Sequence, residues 1–213
     1  AGRVAYISDN DLWLVNADGS ERSQLVDGPP QPSMDDNNRI NLEMNAPRWS
    51  PDGGQDGRSH QIVFGLGGVN LITFIPGLPQ LLLKSDPVPQ PPDYGGQYPT
   101  RFYWPDSWSP YADHLLVEFA YYPEAGGKAI LPAGSGQPVF LTSPDGVVCC
   151  DAAWSNDASG VYFANPYFGM MSAGLWRADA ATGQGTTLIP GDPGNDGVGP
   201  FNLPGFPFQA ADG

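Results

Sequence analysis

Arg48, Ser50 and Asp52 stand close together in the stretch NAPRWSPDGG (residues 45–54), and they carry the guanidinium, hydroxyl and carboxylate that nucleophilic and general-base catalysis use. A serine hydrolase built on Ser50 would also need a histidine. The chain has two, His60 and His114, and no G-x-S-x-G elbow occurs in it. Metal chemistry would draw on the segments MDDNN (34–38) and GDPGNDGVG (191–199), where Asp192, Asn195 and Asp196 offer oxygen ligands suited to calcium without EF-hand spacing. Asp, Asn and Gly are ordinary turn formers as well, and no other cofactor is expected. The two cysteines, Cys149 and Cys150, are adjacent, which fits neither a disulfide framework nor a zinc ligand set. Two readings of the pair stand: a vicinal disulfide with a distorted peptide, favoured by an oxidising compartment, or two buried thiols.

Repetition changes the meaning of the first cluster. DSWSPYADH (106–114) and AAWSNDASG (152–160) are relatives of the opening stretch, and Trp49, Trp108 and Trp154 follow one another at intervals of 59 and 46 residues. That is the range of propeller blades with one large insertion. After each tryptophan come three short apolar runs: QIVFG, VNLITFI and QLLLK; then HLLVEF, KAILP and QPVFLT; then GVYFA, GLWRA and GTTLI. The pattern predicts units of four antiparallel strands. A catalytic group has no reason to recur in every unit. Ser50, Pro51, Asp52 and Gly53 instead fit the four positions of a type I turn, and Trp49 is expected to wedge between neighbouring sheets.

The N-terminal runs RVAYI, DLWLV and RSQLV read as the last three strands of a unit without its first. GFPFQAADG (205–213) superposes on the tryptophan strands with Phe208 in the tryptophan position, so it is expected to supply the missing strand and close a ring. The expected fold is all-β, a β-propeller of four four-stranded blades in a single domain spanning 1–213. The blades are 1–26 with 205–213, 45–84, 104–142 and 150–189. A piece of a larger propeller is the alternative.

APRWSPDG, the following IVF and the run LWLVNADGSERSQLV resemble the TolB-type, PD40 or WD40-like propeller repeat. The resemblance covers nearly the whole chain and weakens at Trp108, Trp154 and Phe208. Tyr111 and Ala112 stand where the repeat has Asp and Gly, and Asn156 stands in place of Pro. The resemblance implies a propeller fold. Such propellers serve as binding scaffolds, as parts of sensors and as companions of peptidase domains, so it implies little about function.

Composition narrows the classes of partner. A net charge of −14 with nine scattered Lys and Arg repels phosphate backbones and acidic membrane surfaces, so no nucleic acid partner is expected. No apolar run approaches the ~20 residues that span a bilayer, and AGRVAYI reads as a strand rather than a signal peptide, so no membrane insertion is expected. Of 23 acidic residues 19 are Asp, the carboxylate of turns, and 28 glycines and 24 prolines accompany them. The acidity is largely turn chemistry.

In a four-stranded blade, the loops between strands two and three share a rim with the interblade segments, while the other rim holds two hairpins. The hairpin rim is terse apart from PDGGQDGRSH. The loop rim is long and rich in aromatic residues: Tyr94, Tyr98, Tyr103, Trp104, Tyr121, Tyr122, Tyr167 and Phe168. Long loops on a rigid scaffold commonly bind, and aromatic residues are enriched at interfaces. The bland alternative is that these rings fold beneath their own loops as small satellite clusters. The sequence therefore points to an exported, non-catalytic module that binds a protein or peptide through this rim. A carbohydrate-binding or carbohydrate-active propeller using Asp106 and Asp151 at the channel mouth is the competing class.

Overall fold

Within the apolar runs VAYI (4–7) and LWLV (12–15), period two places Ala5, Ile7, Leu12 and Leu14 on a single sheet face, where they pack with Leu25. A computed structural model describes residues 2–32, 39–51, 61–73, 78–86, 101–121, 125–134, 136–143, 151–164 and 174–190. In it β1 (Arg3–Ser8), β2 (Asp11–Asn16) and β3 (Ser23–Val26) form a three-stranded antiparallel meander. Asp9 and Asn10 link β1 to β2 with φ of 54° and 68°, the left-handed pair that a two-residue hairpin requires and that Asp and Asn tolerate.

Three four-stranded antiparallel sheets follow. The second is β4 (Asn45–Trp49), β5 (Gln61–Gly65), β6 (Gly68–Thr73) and β7 (Gln80–Lys84) in that order. The third contains β8 (Arg101–Trp108), β9 (His114–Tyr121), β10 (Ala125–Pro132) and the short β11 (Val139–Phe140). In the fourth are β12 (Asp151–Trp154), β13 (Gly160–Ala164), β14 (Leu175–Asp179) and β15 (Gly185–Ile189). Each sheet is made by consecutive strands, the up-and-down order of propeller blades. One helical turn, α1 (Arg39–Leu42), is the only helix among the described residues. Phe208 and the strand expected to complete the first sheet lie outside them.

The inner strands explain where the core sits. Ile62, Val63 and Phe64 on β5, and Leu115, Leu116 and Val117 on β9, are each fully buried in succession, so these strands are covered on both faces. By compactness the chain divides into two units, Ala1–Ala125 with Ala133–Ser135, and Gly126–Pro132 with Gly136–Gly213. In the first, Leu12, Leu14, Leu25 and Val26 pack with Met44, Ile62, Phe64 and Ile72, and Trp49 lies against this cluster. In the second, Phe163 and Trp176 stack with centroids 5.6 Å apart. The pairs β2–β3, β6–β7 and β14–β15 each shift register, at Leu12/Trp13, Val69/Asn70 and Leu175/Trp176. Such bulges sharpen strand twist.

Candidate functional site

The recurring serine is a structural staple. The Ser50, Ser109 and Ser155 hydroxyls accept the N–H groups of Gln61, His114 and Gly160 at 3.0 Å each, and each serine N–H donates to the carbonyl of the same partner at 2.9 Å. The third and fourth sheets also show the expected turn, closed by Ala112 N–H to the Ser109 carbonyl and Ala158 N–H to the Ser155 carbonyl, both 3.0 Å. Asp52 and Gly53 lie outside the described residues.

A serine, a histidine and an aspartate do meet at 109–114, with the aspartate in the middle. Ser109 Oγ donates to Asp113 Oδ1 at 2.7 Å, and His114 Nδ1 lies 3.1 Å from that same oxygen. A nucleophilic triad needs the imidazole between hydroxyl and carboxylate, to take the hydroxyl proton. Here the carboxylate takes the serine proton as a hydrogen bond and the hydroxyl accepts from the backbone, so the group closes a hairpin. Burial raises the Asp113 pKa, but the Ser109 hydroxyl and His114 outweigh it and hold the carboxyl below its usual value. Asp157 is lowered to about 2, first by the Ser155 hydroxyl and then by the Ser159 N–H and hydroxyl. Asp18 is lowered by Ser20, and Asp179 by Thr182. These are turn carboxylates serving their own loops.

The opposite, loop end of the first two sheets is pinned by amide and carboxyl side chains. Asn10, 5% exposed, donates to the carbonyls of Pro29 at 2.7 Å and Leu42 at 2.8 Å, and its Oδ1 accepts the Met44 N–H at 2.6 Å. Asp11 accepts the Gly28 N–H at 2.9 Å, and a Cβ at Gly28 would fall on the Asn10 carbonyl oxygen. Asn41 donates to the Asp86 carbonyl at 3.0 Å. Asp86 exchanges bonds with Arg101: its carboxylate accepts the Arg101 N–H at 2.9 Å, and its own N–H donates to the Arg101 carbonyl at 2.8 Å. The Tyr103 N–H donates to Ser85 Oγ at 2.9 Å. The roots of the first two interblade segments are thereby fixed.

The candidate site residues fall into two groups. Tyr103 is only 9% exposed, and its ring tilts against Phe119 at 6.3 Å, so it is a core residue rather than a surface aromatic. Trp104, Asp106 and Asp151 are half-buried, and Asp106 is the extra residue of a bulge between Pro105 and Ser107. Tyr121 sits on β9 opposite Arg101. Tyr94, Tyr98, Tyr122, Tyr167, Phe168, Cys149, Cys150, Asp192, Asn195 and Asp196 lie outside the described residues.

Asn10, Asn41, Ser85 and Asp86 escaped the reading of the sequence because none of them repeats with the tryptophan period. The staple serines do repeat. Their common position is the available signal, and by itself it specifies a turn without the hydroxyl bond to the next strand.

The sheets and their pinned loop ends define an all-β protein of β-propeller type. No family model matches the chain, and no curated protein does. Among solved structures the chain is similar to TolB from Acinetobacter baumannii, with 14% identity and a TM-score of 0.33, over 89% of this chain and 53% of that one. This is a distant, fold-level likeness, in which the chain spans about half the length of the protein it matches.

Proposed function

We propose that this chain is a non-catalytic binding module that engages a protein or peptide through its loop rim, around Tyr94, Tyr98, Trp104, Tyr122, Tyr167 and Phe168. The observation that supports it is the hydrogen-bonded base of that rim. Asn10, Asn41, Ser85 and Asp86 hold the roots of long segments in place, which lowers the ordering cost of binding through them. The same reading makes it an exported protein, in which Cys149 and Cys150 form a disulfide. Thiol titration of the unreduced, denatured chain then finds no free thiol, where a cytoplasmic protein would show two.

A photo-crosslinking residue at position 98 or 167, compared with one at 181 on the hairpin rim, tests the binding face. The expected result is a discrete protein adduct from 98 and 167 and none from 181; equal labelling from all three sinks the proposal. The half-buried carboxylates Asp106 and Asp151 keep a carbohydrate reading as its rival. Retention on an immobilised glycan that is lost in both Asp106→Asn and Asp151→Asn would decide for the rival.

A further inference from the structure

The outer strand of the second sheet is an unusual surface for so acidic a protein. Among the described residues β7 pairs on one side only, with β6, and the main-chain N–H and C=O groups of its other edge have no partner there, although the Gln80 side chain at its start reaches the Gly134 carbonyl at 3.5 Å. Leu78, just before it, is 98% exposed and Leu81 48%, while Leu82 and Leu83 are half-buried. Lys84 closes the strand, exposed and without an ion pair among the described residues. No acidic residue occurs from Gly57 to Ser85, in a chain that carries 23 of them. Apart from the terminal Lys84, the bulge on its inner side and Pro79 just before it, β7 lacks the charges and prolines with which edge strands normally discourage pairing.

We propose that the β7 edge is a second docking site, taking an extended segment of another protein as an added antiparallel strand. The segment covers Leu81 with one apolar residue, reaches past Pro79 to cover Leu78 with another, and has a carboxylate opposite Lys84. Both size and charge favour this occupant over a second copy of the chain. Five residues of strand span about 17 Å, and two such edges side by side bury well under the ~1,200 Å² of a stable dimer. Two copies at −14 each also repel, whereas a segment with a single carboxylate at Lys84 makes one ion pair and little net repulsion. β15 exposes Leu188 and Ile189 in the corresponding place, but it offers no cation.

The test is fluorescence anisotropy of a dye-labelled, acetylated octapeptide of Val and Thr with one Glu, added to the whole chain. Saturable binding is expected. Leu81→Asp should weaken it at least about tenfold and Lys84→Glu about fivefold. The same peptide N-methylated at alternate amides should not bind, because the added strand is held through its main chain. Leu78→Asp, at a fully exposed position that the fold does not use, should weaken binding without moving the melting temperature. The proposal fails if no saturable binding is seen, if the N-methylated peptide binds equally, or if all three variants bind like the parent. It fails too if sedimentation shows a dimer of the parent that Leu81→Asp abolishes, which would make the occupant a second copy.

Discussion

Trp108 on β8 bonds to Arg48 on β4, and Arg48 in turn reaches back to the strand of Trp108. The Trp108 indole N–H donates to the Arg48 carbonyl at 3.1 Å, and Arg48 Nε donates to the carbonyl of Asp106, two residues before Trp108, at 2.9 Å. The repeated tryptophan thus packs at the join between two sheets and also bonds across it. Trp154 is the corresponding residue of β12, and its buried indole N–H has no partner among the described residues. Trp108→Phe should therefore cost about 2 kcal/mol, by stranding a carbonyl and leaving a small void. Trp154→Phe loses only volume and should cost about 1 kcal/mol less. Urea denaturation of the two variants measures both values; equal costs would show that the Trp108 hydrogen bond adds nothing.

Ala112 and Ala158 occupy the turn position that Gly53 holds in the first copy of the motif, and both adopt left-handed backbone, with φ of 56° and 57°. A Cβ there crowds the following carbonyl, a strain that glycine does not have. Against that, glycine adds freedom to the unfolded chain. Relief should win by about 0.5–1 kcal/mol, so Ala112→Gly and Ala158→Gly should each raise the melting temperature, and the two should add. A fall in calorimetric melting temperature would mean that the turns are not strained.

The sheets were legible because burial imposes a pattern. Consecutive apolar residues on β5 and β9, alternating burial on β2, and the recurring tryptophan each follow from which faces are covered. What was missed depends on contacts between residues distant in the chain. Nothing local in RFYW announces that β8 begins at Arg101, because its first residues are captured by Asp86 and Ser85, fifteen or more residues earlier. Asn10 looks like a turn residue and is one, yet its amide also gathers three backbone groups from residues 29–44. Tyr103 looked like an interface aromatic because it follows a long loop. In the fold it already belongs to β8, which is covered on both faces there: its neighbour Phe102 is buried as well.

Asn10 makes the base of the loop rim testable. Removing its side chain in Asn10→Ala strands two carbonyls and one N–H in a buried place, for a cost of about 3 kcal/mol. Asn10→Asp retains the acceptor for the Met44 N–H but sets a carboxylate against the Pro29 and Leu42 carbonyls, so it should be at least as damaging. Hydrogen exchange separates a local role from a global one. Faster exchange in 39–44 than elsewhere is the outcome expected of a rim anchor; uniform acceleration would make Asn10 an ordinary core residue.

Acid should reveal the turn carboxylates. Asp157 titrates at about 2 in the fold against a reference value of 3.8, so the folded state holds its charge more tightly than the unfolded chain does. A depressed carboxyl contributes stability that is fully present above the unfolded value and is lost as pH falls through the folded one. Asp157→Asn keeps an acceptor oxygen for Ser155 and Ser159 but removes the charge. Its melting temperature should lie below the parent's by a constant amount from neutral pH down to about 5. The gap should then narrow between about 4 and 2 and close below that, as the parent carboxyl takes up its proton. Asp18 and Asp179, lowered by the same kind of bond to Ser20 and Thr182, should behave likewise when replaced by Asn. A gap that stays constant to pH 2 would mean that the amide fails for reasons of shape rather than charge.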